Sequence, residues 1–574
     1  MGCDVTIEGH AVSPARAPVI WREPPRLTRE QLTLTPHPVI SAVLHARGIH
    51  SREEAEAFLF PAKVDLADPR LLPDLERAAA LIRSAIDTGV PIGIFGDYDV
   101  DGLTSSAMLY RVLVRLGGNV HITIPNRLSE VYGLTVDAID RFHSAGVGLL
   151  IAVDCGSSNA AELRHALQRG MRCIVLDHHH LGDALPPEVA FVSPRRPESR
   201  FPMPNPAAVG VVWQLVRALL DAGDADMYLP YVALGTVADV VDLRGQNRTL
   251  VTRGISKLRR WKLPGFVALC RHARVDQARI RAREVGFALA PRLNAAGRMD
   301  SPQLALDLLL ADNLDDASRL ALRLNDLNER RQAETTRILE EIEQRIAAAG
   351  GVDQVPAIIE ADPSWSIGIA GVVAGRLAER HQRPTIVLER GDELTRGSGR
   401  SGGAIDLVGA LNRHADILGR FGGHVNAAGL SLPTEHLDAF RGRFCQTVLE
   451  MSGGLIPGRV QQPDAEARLS DLNLELVEAF DMLEPFGAGN RYPQLLVRDV
   501  ATRWEKTSAD GRHLIFSIVT PDKRSVQAVF FGAGARMHEL TQAGRIDIVG
   551  ELQRDDWDGR VRPKFYVDDF RPAR

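Results

Sequence analysis

The 574-residue sequence has few cysteines, no long apolar run and no excess of positive charge, and each shortage excludes a class of protein. Its five cysteines (Cys3, Cys155, Cys173, Cys270, Cys445) are scattered, odd in number and without a CxxC pair. That pattern excludes a disulfide scaffold and zinc-type spacing, and it fits a reducing cytosol. Even the apolar stretch Val147 to Val153 stops at Asp154, short of the roughly 20 residues a membrane-spanning helix needs. The N-terminus has acids and prolines where a secretory signal would have an apolar core. A formal net charge of -5 argues against a uniformly basic nucleic-acid binder. The expectation is a cytoplasmic protein with no membrane association.

With 45% hydrophobic and 25% charged residues, the composition is that of ordinary globular proteins, and the length suits two to four domains. Residues 1–70 include Pro14, Pro18, Pro24, Pro25, Pro36 and Pro38 and a capping-box pattern at Ser51-Arg52-Glu53-Glu54, which predicts an extended arm packed on the first domain. From Leu75, amphipathic helices alternate with apolar strands expected at 91–95, 121–124, 148–153 and 172–176. That order predicts a parallel sheet covered on both faces.

Ligands of such sheets collect beyond the carboxyl ends of the strands, and there the chemistry-bearing residues fall. One strand leads into Asp97, Asp99 and Asp101, another into Asp154, and the next into Asp177, His178, His179 and His180. If the chain stays extended, Asp97, Asp99 and Asp101 share one face, and three close anions call for a divalent cation. The competing reading is an acidic turn capping the next helix. For the histidines it is a solvated loop. Asp239, in the apolar context of Tyr231 to Val241, needs a partner and is assigned as a further metal ligand. Asp242 is open between ligand and cap.

Between Leu243 and Arg298, fourteen cations face only Asp276 and Glu284, a local basic surface suited to a polyanion or, alternatively, a solvated face pairing with acids elsewhere. Residues 316–348 read as one long helix with Leu320, Leu324, Leu327, Ile338, Ile342 and Ile346 on helical spacing. A second α/β unit follows, with glycine-rich clusters at 396–403 and 421–429 whose backbone can approach an anion, Arg400 adding a fork donor. Five short strands after residue 490, with turns such as Asp510-Gly511 and Asp558-Gly559, predict a small β-barrel of the OB type that binds single strands.

Asp97-Tyr98-Asp99-Val100-Asp101-Gly102, Val153-Asp154-Cys155-Gly156, Asp177-His178-His179 and Ala238-Asp239 resemble, in order and spacing, the four motifs of the DHH phosphoesterase superfamily. Gly422 to Gly429 resembles the GGH-type motif of the companion DHHA1 domain. The terminal barrel makes the chain similar to the members that degrade single-stranded DNA from the 5′ end. The resemblance implies an α/β fold in which a parallel-sheet DHH domain (71–314) is joined by a connecting helix (315–350) to a smaller α/β DHHA1 domain (351–455). A nucleic-acid-binding OB-like barrel with its linker (456–574) follows.

By the same resemblance, two Mn²⁺ or Mg²⁺ ions are held by Asp99, Asp101, Asp154, His178, His179 and Asp239, with Asp97 close by and Asp177 orienting a histidine. The ions would serve in-line attack of water on phosphorus. Arg127, Arg298, Ser398 and Arg400 would grip the 5′-phosphate, with His424 near the scissile phosphate. The implied enzyme is a monomeric 5′ to 3′ exonuclease that releases mononucleotides in recombination and repair. Its implied partners are a single-strand-binding protein and a RecQ-like helicase. A phosphodiesterase for short or cyclic oligonucleotides, and a non-catalytic binding relative, are the alternatives. The basic stretch and barrel disfavour the first, and the intact acids and histidines the second.

Overall fold

The computed structural model describes residues 19–127, 130, 133–203, 205–352, 355–454, 460–521, 524–556 and 560–573. Cys3, Pro14, Pro18 and the Asp558-Gly559 turn lie outside the described residues. After helix α1 (Leu75–Asp87) the chain alternates through β1 (Ile92–Gly96), α2 (Val100–Arg115), β2 (Val120–Thr123), α3 (Val136–Ser144), β3 (Leu149–Val153), α4 (Ala160–Gln168), β4 (Arg172–Leu176) and β5 (Ala190–Val192). The five strands form one parallel sheet in the order β2-β1-β3-β4-β5. Strands β1 and β3 are buried along their whole length, as apolar runs covered by helices on both faces must be. Gly96, Val153 and Leu176 stand in register across β1, β3 and β4. The three strand ends that carry the acids and histidines are therefore adjacent and level.

Helices α5 (Ala208–Leu219), α6 (Leu229–Ala238), α7 (Gly245–Leu258) and α8 (Ala290–Met299) complete the first lobe, and the 35-residue helix α9 (Leu314–Ala348) leaves it. Leu324 and Leu327 of α9 belong to the first core, whereas Ile338, Ile342 and Ile346 belong to the core of the second lobe. That lobe contains β6 (Ile358–Asp362), α10 (Ile367–His381), β7 (Thr385–Glu389), β8 (Leu394–Arg400), β9 (Phe421–His424), β10 (Ala427–Pro433) and α11 (Leu437–Met451). Its sheet runs β9-β10-β8-β7-β6, parallel between β6 and β7 and antiparallel elsewhere. The glycine-rich clusters thus lie largely within strands. A Cβ on Gly397 would sit 2.4 Å from the Val387 carbonyl oxygen, so glycine there serves the close pairing of β8 and β7.

The last domain closes β11 (Leu495–Thr507), β12 (Leu514–Val519), β13 (Ser525–Phe530), β14 (Arg545–Asp555) and β15 (Arg562–Pro572) into a five-stranded barrel, sealed where β14 pairs with β11. The N-terminal arm corrects an expectation, for it packs chiefly on this barrel. The helical segments Pro38–Ala46 and Arg52–Leu59 place Val39, Ile40, Val43, Leu44, Ala55 and Phe58 in the same core as Leu476, Phe480 and Val497. Ile20–Trp21 pairs in parallel with Val460–Gln461.

Part of the basic stretch is used inside the molecule. Arg248 of α7 is 1% exposed and donates to the carbonyl oxygens of Phe58 (2.8 Å), Leu483 (2.9 Å), Glu484 (2.6 Å) and Pro485 (3.2 Å), with its guanidinium 3.8 Å over the Phe58 ring. One side chain thereby ties the catalytic lobe to the arm and to the segment leading into the barrel. Arg253 donates to the carbonyl oxygens of Ala62 and Val64, and Arg244 to that of Gly489. Arg281 pairs with Asp481. The sequence alone suggests a substrate surface for these arginines because charge counts do not distinguish a cation facing solvent from one facing carbonyls.

Arg248→Met should remove a donor from four carbonyls, of which Leu483 and Pro485 keep Asn490, and lower the unfolding free energy by about 3 kcal/mol in denaturant titration. Protease cleavage near residues 460–490 should appear before cleavage of the catalytic lobe. A change below about 0.5 kcal/mol, the size of an ordinary surface substitution, would show that the joint does not depend on this residue.

Candidate metal centre and phosphate pocket

Strand β1 stops at Gly96, so Asp97, Asp99 and Asp101 do not share a strand face as the extended reading requires. Asp99 is the N-cap of α2, its Oδ1 accepting from the amides of Asp101 (2.9 Å) and Gly102 (3.1 Å). The competing reading of an acidic cap is thus also true, and capping is how the acids are gathered. Asp101 points from the first turn of α2 to the start of α5, where its two oxygens accept from the amides of Ala208 (2.6 Å) and Val209 (2.9 Å). Free amides at a helix N-terminus stabilise such a carboxylate. The chain can turn this tightly because residue 102 is glycine. A Cβ there would lie 2.4 Å from the carbonyl oxygen of Asp97.

Asp154 follows β3 in a left-handed conformation, φ 60°, and is 2% exposed. After β4, Asp177 accepts from the amides of His178 (2.7 Å), His179 (3.2 Å) and Ser157 (3.0 Å) and from His179 Nδ1 (2.7 Å). His178 Nε2 lies 3.3 Å from Asp154, 3.7 Å from Asp239 and 3.9 Å from Asp101. Asp239 caps the C-terminal end of α6, followed by Val240 at φ 59°, a strained conformation for a β-branched residue. Three groups, Asp154 with Asp177, His178 and His179, Asp101 with His178 and Asp239, and Asp97 with Asp99 and Asp154, each bring ligand atoms within 4.8 Å of one another.

The electrostatics are those of a cation site. Burial, then the charge of Asp99, raises the Asp97 carboxyl well above its usual range, and burial with Asp101 and Asp99 does the same to Asp154. Burial and Asp99 push Asp101 up to about 7, although two helix amides oppose the shift. Burial, Asp101 and Asp99 push Asp239 up to about 9. Burial, then His179, lowers His178 to about 4. For His179 burial opposes the charged ring, yet the hydrogen bond and charge of Asp177 outweigh it and raise the ring to about 9. Burial also opposes ionisation of Asp177, but His179 and the amide donors hold it below the carboxylate range. Asp97 Oδ1, Asp154 Oδ1 and His178 Nε2 are buried without a hydrogen-bond partner among the described residues. Carboxylates and an imidazole with unused lone pairs fit Mn²⁺ or Mg²⁺, imidazole ligation favouring manganese.

Beside this centre is a cationic pocket. Arg127 lies over the ring of Tyr98, 5.2 Å from its centroid, and Gly297 of α8 packs against Tyr98. The next residue, Arg298, donates to the Gly368 carbonyl oxygen of α10 at 3.1 Å. Arg400 donates to Ser398 Oγ at 2.9 Å, and a Cβ on Gly371 of α10 would meet both side chains within 3.2 Å. Burial, then Arg127, Arg331 and Arg400, lowers Arg298 to about 9. The structure therefore gathers Arg127, Arg298, Ser398 and Arg400 at the seam between the lobes. His424 lies at the end of β9, its ring 5.1 Å from that of His180 in the loop after His179, so the second lobe reaches the metal side of the cleft.

Sequence reasoning misses Arg195, whose Nε donates to the His178 carbonyl oxygen, and Arg331, buried in the long connecting helix. Arg331 leaves no distinct signal, since Asn328 and Thr335 also fall on the inward face of α9 between Leu327 and Ile338.

Three family models match: "DHH family, N-terminal domain" over residues 91–236, "DHHA1 domain" over 354–450 and "RecJ OB domain" over 463–569. The single-stranded-DNA-specific exonuclease RecJ of Bacillus subtilis is 34% identical over 548 residues, covering 94% of this chain and 68% of that protein. The chain belongs to the RecJ family. RecJ from Thermus thermophilus in complex with Mn²⁺ superposes with a TM-score of 0.82 at 30% identity, covering 97% of this chain and 80% of that one. The Mg²⁺ complex of the same RecJ gives 0.77 at 28% identity, covering 97% and 79%. Binding of Mn²⁺ or Mg²⁺ thus accords with both the donor set and these RecJ structures.

Asp177→Asn removes the carboxylate charge and one of the two acceptor oxygens that hold His179 and Ser157, and it should weaken Mn²⁺ binding about 10- to 100-fold by calorimetry, with the fold kept. Since Asp101, Asp239 and His179 are raised to about 7, 9 and 9, all three hold protons in part of the metal-free population near neutrality. Metal uptake must displace those protons, so Mn²⁺ affinity should rise between about pH 6 and pH 9. Titrations in buffers of different ionisation heat should show net proton release at pH 7. No release would mean that the groups are already deprotonated.

Proposed function

We propose that this chain is a metal-dependent 5′ to 3′ exonuclease specific for single-stranded DNA, releasing 5′-mononucleotides in recombination and repair. The observation that carries the reading is the convergence, at three level strand ends, of buried carboxylates and histidines, with Asp97 Oδ1, Asp154 Oδ1 and His178 Nε2 lacking a hydrogen-bond partner among the described residues, beside an arginine pocket at the lobe seam.

Asp99, Asp101, Asp154, His178, His179 and Asp239 would hold two Mn²⁺ or Mg²⁺ ions, with Asp97 adjacent. Bound there, the ions supply charge stabilisation and water activation for in-line displacement at phosphorus. The rest is done by the chain. Asp177 accepts a hydrogen bond from His179 Nδ1–H, which orients the ring so that Nε2 is the nitrogen for ligation. Arg127, Arg298, Ser398 and Arg400 grip a 5′-terminal phosphate, which fixes the distance from chain end to cut and hence the polarity. His424, kept neutral at pH 7 by burial and by His180, His179 and Arg195, faces the scissile phosphate from the second lobe.

The barrel extends the path for the unpaired strand. No helix among the described residues is long and apolar enough to cross a membrane, in keeping with a cytoplasmic enzyme. As a monomer it would receive substrate from a single-strand-binding protein and a RecQ-like helicase.

Strands labelled at either end, single or annealed, test the reading with Mn²⁺, Mg²⁺ or chelator. Early release of the 5′ label as a mononucleotide, from single strands and with metal only, is expected. Activity confined to the shortest oligomers, or binding without product, would overturn it. Asp154→Asn should lower kcat roughly a thousandfold or more, the scale of losing a group that stabilises transition-state charge, while strand binding persists. Loss of both together would assign Asp154 to folding.

A further inference from the structure

The apolar stripe of α9 is broken where the lobes meet. Leu324 and Leu327 face the first core and Ile338 and Ile342 the second, but between them Asn328, Arg331 and Thr335 are buried at 1%, 7% and 0% exposure. The three polar residues fall at spacings of three and four, so they share the inward face. Arg331 is held there by Asn328, whose Oδ1 accepts from its Nη2 at 2.9 Å and its Nε at 3.3 Å. It forms no ion pair among the described residues, and neither do Arg127, Arg298 or Arg400. Its charge is felt by Arg298, and it feels those of Arg376 and Arg292.

Burying an arginine without an anion is costly, and an apolar residue of similar volume would fill the stripe without that cost. The arrangement is accounted for when an anion completes it. This step rests on the reading of the Arg298 and Arg400 pocket as the seat of the 5′-phosphate.

We infer that Arg331 is a positioning residue for the terminal phosphate. It is buried on α9 between the cores of the two lobes, which Arg298 also bridges by its bond to α10, and it adds a fixed positive charge that a phosphorylated 5′ end neutralises and a 5′-hydroxyl end does not. It acts through Arg298 and the field in the pocket, so its contribution appears in binding of the chain end. The chemical step at the metal centre does not depend on it.

The test measures KM and kcat on one single strand carrying either a 5′-phosphate or a 5′-hydroxyl, at fixed free Mn²⁺, for the parent, Arg331→Met and Arg331→Lys. Arg331→Met should raise KM for the phosphorylated strand roughly tenfold, as loss of one nearby charge in a partly desolvated site implies. It should leave kcat, and both constants for the hydroxyl strand, within about twofold. Arg331→Lys should restore most of the discrimination, because the charge returns without the fork. Equal losses on both strands would reduce Arg331 to a structural role, and unchanged discrimination would remove it from the pocket.

If Arg331→Met does not fold, Arg331→Gln removes the charge while keeping a polar side chain that Asn328 can still bind. It must then narrow the same KM ratio, and an unchanged ratio overturns the inference. A parent enzyme indifferent to the 5′ group would sink the phosphate pocket itself and Arg331 with it. Discrimination that persists in the parent and in Arg331→Met alike would sink the Arg331 role alone.

Discussion

Mutual repulsion among buried carboxylates is the constraint around which the first lobe is built. Asp97, Asp101 and Asp154 are each 5% exposed or less, and burial, then neighbouring carboxylates (Asp99 for Asp97 and Asp101, Asp101 and Asp99 for Asp154), raises their affinity for protons, so without compensation they would push the strand ends apart. The fold answers with fixed dipoles. The amides that open α2 are turned on Asp99 and those that open α5 on Asp101, while three amides and an imidazole hold Asp177. What these donors leave unsatisfied is a set of lone pairs pointed inward, which is the specification for a hard divalent cation.

The seam between the lobes works with the opposite sign. Arg298 of α8 and Arg400 of β8 meet where α10 begins, while Arg127 from the loop after β2 lies over Tyr98 and Arg331 of α9 is buried between the two cores. On the proposed reading neither lobe has a complete site alone, since the acids and three of the arginines belong to the first lobe and its connecting helix, while Ser398, Arg400 and His424 belong to the second. The rigid helix α9 sets the spacing between a site that wants cations and a site that wants anions.

Most of the first sheet, the long helix and the barrel were legible because period-two and period-3.6 patterns are local. Helix α3 and strand β4 fall where the sequence placed them, at Val136–Ser144 and Arg172–Leu176. The residues at the strand ends were legible because parallel topology puts carboxyl ends on one side. How Asp97, Asp99 and Asp101 are arranged was not, because a strand that ends and a helix that begins between two aspartates depends on tertiary contacts of Gly102 and α5. The placement of the arm was hidden because its apolar residues match the barrel core as well as any other, and pairing over more than four hundred residues leaves no local trace. Arg248 and Arg331 were hidden for one reason. A buried arginine looks like a surface arginine until its surroundings are known.

The pairing of Ile20–Trp21 with Val460–Gln461, and the seating of Pro38–Ala46 in the barrel core, join one part of the chain to another made more than four hundred residues later. During synthesis the arm must wait, at about 5–20 residues per second, for on the order of half a minute or more until its partner strands leave the ribosome. The catalytic lobe has all its strands and can close in that interval. The barrel cannot. A nascent chain therefore carries Val39, Ile40 and Val43 uncovered beside an otherwise finished domain, and the window in which a chaperone would have something to hold is written into the order of the elements.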